Sequence, residues 1–319
     1  MRCHLGIDIA KKTFDAVLLV GDTKRHKVFD NDEPGYEALL AWLDGHCEDL
    51  HACMEATGGY GDNLALFLHQ HGLPVSVVNP VRIKAFAKSE MARTKTDKAD
   101  AGVIARVCRA LQPALRTPLS PRMREFRALV RRCAALKDMR VQELQRRDGA
   151  AASAWVAASL ERTLAWLNDE IDAVSAAIAA LIAQDEGLRH NHGLLVSIPG
   201  IGAQAAAVLL AEIPDFRAFS HNKQITAFAG LSPQQHVSGS SVRGRDSLCK
   251  LGNARIRSIL YLCALSARRH NPVVKVFADR LKQAGKLPKV ILAAVARKLL
   301  VIAYGVMKTQ HPFNPGTPS

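Results

Sequence analysis

Cysteine pairs are missing from this sequence. Its 7 cysteines are odd in number and none stands in a C-x-x-C pair, so neither a disulfide framework nor a zinc site is expected. His69/His71 and His190/His192 stand two apart, a weak metal signal that reads as surface. Aromatic residues make up only 5%, so any core must be built from Ala, Leu, Val and Ile. The opening Met1–Ala10 lacks the apolar run of a signal peptide, and no 18-residue apolar stretch is evident afterwards, which leads us to expect a cytoplasmic protein without a membrane.

Acidic residues are scarce in one part only. From residue 187 onward there are 18 of the 43 Lys+Arg but 4 of the 29 Asp+Glu, so the preceding residues balance and the excess of +14 lies in the C-terminal part. Such an imbalance suggests a polyanion, and nucleic acid in particular.

With 319 residues, 48% of them hydrophobic, the chain can build more than one core. Residues 1–118 read as three strands in succession (Cys3–Ile9, Thr13–Val20, Lys24–Phe29), then alternating helices and strands. That order predicts a mixed α/β sheet covered by helices. Residues 119–190 are helical. Phe126, Leu129, Val130, Cys133 and Leu136 make one apolar stripe, with Arg124, Arg127 and Arg131 on another face, either solvated or facing phosphate. Leu160, Leu164, Leu167, Ile171, Val174, Ile178 and Leu181 are spaced 4, 3, 4, 3, 4, 3, a coiled-coil seam. The seam can pair two chains or fold back on 120–147, and it leads us to expect a dimer. Residues 191–319 are mainly helical. There Pro199-Gly200-Ile201-Gly202 joins two helices in a helix-hairpin-helix pattern, and the backbone N–H groups at Gly200 and Gly202 can approach a DNA phosphate.

Four acids carry the chemistry. Asp8 sits in an apolar strand, Glu55 ends another strand before Gly58-Gly59, and Asp97 and Asp100 lie three apart at a helix start that Thr94 or Thr96 can cap. Two strand acids and two on one helical turn can converge on a pair of magnesium ions, which clamp the attacking and leaving oxygens of a phosphodiester. The Gly6-Ile-Asp-Ile-Ala-Lys-Lys12 strand also fits the phosphate loop of sugar-kinase-type ATPases, but the second phosphate loop and adenosine site of that class are absent.

Gly6–Lys12, Met54–Tyr60, Lys95–Ala101, Ser197–Gly202, Phe228–Pro233, Ser238–Gly244 and Lys250–Arg257 resemble, in order, the motifs of the DEDD transposases of bacterial insertion sequences, the IS-one-ten family, which includes the Piv DNA invertases. The resemblance implies an RNase H-like (RuvC-like) N-terminal domain with Asp8, Glu55, Asp97 and Asp100 as metal ligands, and a C-terminal transposase domain whose nucleophile is Ser238. It implies a DNA recombinase that works with a structured bridge RNA and assembles as a dimer or tetramer. Read physically, Ser238, Ser240 and Ser241 compete, and metal activation suits a serine here better than His236 does. Arg243, Arg245, Lys250, Arg255 and Arg257 supply charge for phosphate. A RuvC-like junction nuclease that attacks with water is the alternative enzyme.

Overall fold

The computed structural model describes residues 2–316 except 48, 57–58, 92–95, 150–152, 214, 235–236, 239–241 and 244–246, with backbone alone at 149, 237–238, 242–243 and 247. The chain divides into two units, Met1–Ser120 and Pro121–Ser319. The helical segment expected over 119–190 therefore falls almost wholly within the second unit.

In the first unit, β1 (Arg2–Ile9), β2 (Thr13–Val20) and β3 (Thr23–Asp30) form an antiparallel meander. After α1 (Glu33–Leu43), β4 (Asp49–Glu55) adds parallel to β1; after α2 (Asp62–Gln70), β5 (Val75–Val78) adds parallel to β4. The order is β3-β2-β1-β4-β5, the mixed sheet expected. Two further helices follow, α3 (Pro80–Ser89) and α4 (Asp97–Leu111).

Strand alternation sends Cys3, Leu5, Ile7 and Ile9 into one core with Phe14, Leu39 and Leu64. The other face of β1 carries His4, Gly6 and Asp8 and is covered by α4. Val17 and Leu19 pack there against Ala101 and Ala105. Contrary to the expectation of unpaired cysteines, Cys3 and Cys47 form a disulfide, Cα atoms 6.1 Å apart. Their separation of 44 residues hid a pair that only the β1–β4 register brings together.

The second unit begins with two long helices, α5 (Pro121–Gly149) and α6 (Ala154–Gln184). Arg140 donates to Asn168, Arg147 to Glu161, and Cys133 Sγ meets Ser175 Oγ. As one partner number rises the other falls in step, so the helices run antiparallel. Leu167 and Ile171 of the heptad seam are buried against Cys133 and Leu136. Here the seam folds back within the chain.

The remaining helices are α7 (Glu186–Val196), α8 (Ala203–Glu212), α9 (Asn222–Phe228), α10 (Ala254–His270), α11 (Pro272–Gln283) and α12 (Pro288–Thr309). Contrary to the sequence reading, α12 is long and apolar enough to cross a membrane. In the fold it is a core helix, with Val295, Ala296, Leu299, Leu300 and Ala303 fully buried, and an all-round apolar helix is what a core position demands.

One buried carboxylate ties three of these helices together. Glu212, 5% exposed, ends α8. It accepts Arg131 Nε at 2.8 Å and Arg131 Nη2 at 3.0 Å from α5, and Asn253 Nδ2 at 2.7 Å. Asn253 in turn caps α10, accepting from the N–H groups of Arg255 and Ile256. Burial alone would raise the Glu212 carboxyl, but hydrogen bonds from Arg131 and Asn253 and the Arg131 charge outweigh it and hold the carboxyl below its ordinary value. Arg127 donates to the Ala211 carbonyl at 2.8 Å. Thus Arg127 and Arg131, both half-buried, hold the end of α8.

Replacing Glu212 by Ala should lower the unfolding free energy by about 2–3 kcal/mol, the lower part of the range for a broken buried pair, because Arg131 can return to water. Glu212→Gln should cost less than Glu212→Ala at neutral pH. A depressed carboxyl stabilises above its unfolded value and loses that contribution as pH falls through the folded one. The gap between wild type and Glu212→Gln should therefore close below about pH 4, as urea unfolding at several pH values would show.

Candidate catalytic centre

The acidic centre is built by one close crossing. A Cβ on Gly6 would come within 2.2 Å of both the Ala101 carbonyl oxygen and the Ala105 nitrogen, so glycine lets α4 lie directly on β1. Asp8, two residues on, shares Gly6's face. The direction of α4 follows from its far end, where Cys108 donates to the His51 carbonyl at 3.3 Å. His51 pairs with His4, at the start of β1. The first turn of α4 therefore lies toward the end of β1, and Asp97 and Asp100 with it. Thr96 is the N-cap, accepting from Ala99 N at 3.2 Å. The alternative cap, Thr94, lies outside the described residues.

Glu55 follows the last β1–β4 pair, Ile7–Met54, and so neighbours Asp8 across the parallel ladder. Asp15 stands opposite Asp8 on β2 but is engaged by His26 Nε2 at 2.6 Å. The electrostatics show the convergence. Burial, then the charges of Asp100, Asp97, Glu55 and Asp15, push the Asp8 carboxyl up to about 6. Among the described residues no three of these acids bring carboxylate oxygens within 4.8 Å of one another. They are coupled by charge rather than closed around a point. Hard carboxylates whose repulsion a divalent cation would relieve fit such an ion.

The second unit places the other candidates. Between 233 and 248 the described residues include two antiparallel strand pairs. β6 (Pro233–Gln234) pairs with β9 (Ser247–Leu248), and further out β7 (Val237–Ser238) pairs with β8 (Val242–Arg243). Ser238 is opposite Val242, in the outer pair. Ser240, Ser241, Arg245 and His236 lie outside the described residues, as does the side chain of Arg243. Lys250 and Arg255 are exposed. Arg257 is half-buried, and its Nη1 donates to the carbonyls of Ala229 at 3.1 Å and Gly252 at 3.0 Å. Lys250, Arg257 and Tyr261 line a cleft of 370 Å³ beside the inner pair.

The Pro199–Gly202 turn does join two helices, α7 and α8. Gly200 has φ +102°, and a Cβ there would come within 2.4 Å of Ala267 in α10. The fold alone therefore requires that glycine. Gly202 is exposed and precedes α8 without a side-chain cap.

The sequence reading missed a second cluster, His51, Cys53 and Cys108, all buried and on the same sheet face as the acids. The spacing His51-x-Cys53 was the available signal, and its third member is 55 positions away along the chain.

Comparison with known proteins decides the family. Residues 5–152 match the profile of the DEDD transposases of IS110 type, and residues 192–279 that of the "Transposase IS116/IS110/IS902 family". The chain is 36% identical over 318 residues to the pilin gene-inverting protein of Moraxella bovis, covering 98% of both chains. It is 25% identical over 300 residues to the transposase for insertion sequence element IS1111A of Coxiella burnetii, covering 83% of this chain and 78% of that one. This chain belongs to the IS110 transposase family. The two matched segments together contain all four acids and Ser238.

The raised Asp8 carboxyl has a consequence for stability. A carboxyl that titrates higher in the folded than in the unfolded chain binds extra protons between the two values. Relative to Asp8→Asn, the ion-free wild type should therefore lose stability as pH rises from about 4 through 6, and bear the full penalty above. Asp8→Asn should raise the melting temperature of the ion-free protein at pH 7.5 and abolish any stabilisation by added magnesium. A difference between ion-free wild type and Asp8→Asn that does not change between pH 4 and 7, or Asp8→Asn protein that magnesium still stabilises as much as wild type, would refute this electrostatic account.

Proposed function

We propose that this IS110-family recombinase cuts and rejoins DNA with Asp8, Glu55, Asp97 and Asp100 holding divalent cations, magnesium by preference, and with Ser238 as the attacking group. The observation that carries the reading is that the β1–β4 ladder sets Glu55 beside Asp8 while the Thr96-capped start of α4 brings Asp97 and Asp100 toward the same end of β1. Four oxygen-donor side chains suit a hard cation that also keeps water and phosphate in its shell. Such ions, when bound, stabilise charge on the attacking and leaving oxygens of a phosphodiester.

The chain's own residues supply the rest. Asp97 and Asp100 are fixed by the Thr96 cap, and Asp8 and Glu55 by the β1–β4 ladder, so the acids hold position on rigid elements. Ser238 Oγ attacks phosphorus and its proton passes to solvent. The 3′ or 5′ oxygen of the broken strand leaves, and the protein–DNA ester stores the bond energy for rejoining. A serine needs such support to become a nucleophile. Lys250, Arg255 and the other cations of the C-terminal part contact backbone phosphate, and Gly202 offers its N–H at the start of α8.

Family resemblance is the ground for a structured RNA that pairs with donor and target DNA, for assembly as dimers or tetramers, and for a cytoplasmic setting on the nucleoid. The heptad seam no longer supports a dimer, because Leu167 and Ile171 are used inside the chain. Likeness to pilin gene-inverting proteins over the whole chain extends the proposal to inversion as well as insertion.

The test is a covalent adduct. Wild-type protein, magnesium, the DNA flanking its gene and RNA transcribed from that flank should give a protein–DNA species that survives detergent. Ser238→Ala and Asp8→Ala should each abolish it. Cleavage by Ser238→Ala at the wild-type rate would overturn the serine and leave water as the nucleophile.

A further inference from the structure

We infer that His51, Cys53 and Cys108 form a metal site of zinc type that pins the last turn of α4 to β4. One ligand atom from each residue lies within 4.8 Å of the other two. Cys53 and Cys108 are fully buried and His51 is 2% exposed. His51 and Cys53 are two apart on β4, so their side chains share a sheet face. Cys108 comes down from α4 onto that face, its thiol donating to the His51 carbonyl.

The tautomer of His51 follows from its neighbours. Ser76 Oγ lies 2.8 Å from His51 Nε2, and it also donates to the carbonyls of Pro113 and Ala114 at 2.8 and 3.0 Å. A hydroxyl has one proton to give, and two carbonyls compete for it. Toward His51 the serine must therefore accept, so Nε2 carries the proton and Nδ1 keeps a lone pair. That Nδ1 is buried with no hydrogen-bond partner among the described residues. An imidazole whose far N–H is fixed by a hydroxyl is the usual support of a metal ligand. A buried lone pair without a partner is a cost to the fold that a bound ion would remove.

Charge agrees with burial. A divalent ion that displaces the two thiol protons to solvent leaves two thiolates, a neutral imidazole and a 2+ ion, for a net charge of zero. A neutral complex can occupy a buried site where a lone ion could not. Thiolate with imidazole selects a thiophilic ion rather than the hard cation suited to the acids. Ligand bonds of about 2.0–2.3 Å put ligand atoms roughly 3.6 Å apart, which small side-chain rotations would reach. His4 is the candidate fourth ligand. It is 7% exposed, pairs with His51 across the ladder, and its Nε2 is likewise buried without a partner among the described residues.

On β4 the site adjoins the acidic centre, since Cys53 is two residues from Glu55, but along α4 the two diverge. Cys108 follows Asp97 by 11 positions on one helix, or about 16 Å. Zinc there would fix the C-terminal turn of α4, whose first turn carries Asp97 and Asp100.

Full-length protein purified without added metal or chelator should contain about one zinc per chain. A thiol-blocking mercurial should release it. Cys53→Ser and Cys108→Ser should each lower zinc content about tenfold or more, whereas Asp8→Ala should leave it unchanged. If the serine variants do not fold, wild type grown in cobalt keeps the proposal falsifiable: it should show the charge-transfer band of cobalt bound to thiolate. Wild type without zinc and without that band, or a Cys53–Cys108 disulfide in peptide maps, would overturn the site.

Discussion

The contact between Gly6 and α4 is the constraint on which the first unit depends. Helix and strand approach so closely there that Ala101 and Ala105 touch the strand's backbone face, with no room for a Cβ. With that crossing fixed, strand period and helix rise do the rest. Two residues further along β1 stands Asp8, and one turn back along α4 stand Asp97 and Asp100. Toward the other end of α4, Cys108 meets His51. A helix laid across a sheet at one point thus gathers a set of carboxylates toward one end and a set of thiols and imidazoles toward the other. Burial, together with repulsion from the neighbouring carboxylates, makes the charged Asp8 a standing cost, which raises its carboxyl. Strained electrostatics of this kind are common where function rather than stability selects the residues.

The second unit is organised by a different polar group. Glu212 is a buried acid in a strongly basic part of the chain, and it draws Arg131 and Asn253 to itself. Asn253 then caps α10, the helix that follows the serine-bearing strand pairs. The exposed Arg255 lies in the first turn of that helix. Some of the excess positive charge is consequently structural. Arg257 of that basic part donates to the carbonyls of Ala229 and Gly252, as Arg127 and Arg131 of the charge-balanced part donate to Ala211 and Glu212.

Much of the fold was legible in the sequence because the signals are local. Alternation marked β1, helical spacing marked α5 and α6, and the Thr96 cap sits where the acids begin. The four acids were legible as strand-borne and helix-borne residues. What could not be read was their separation in space, which rests on Gly6, a residue with no side chain to notice. Long-range pairs escaped for the same reason: Cys3 with Cys47, Cys108 with His51, and Arg131 with Glu212 each need a register or helix packing that no spacing rule contains. The membrane-like apolarity of α12 was missed because its polar residues interrupt the run, although the helix is apolar on nearly every face. The heptad seam was visible, but its partner was decided by a helix hairpin.

The central claim is that β1, β4 and the first turn of α4 surround one divalent-cation site. Iron(II) bound in place of magnesium, with ascorbate and peroxide, generates short-lived radicals that cut the backbone beside the ion. The account predicts cuts near Asp8, near Glu55 and near Asp97–Asp100, all suppressed together by excess magnesium. Cleavage confined to one of these segments, or unaffected by magnesium, would contradict it.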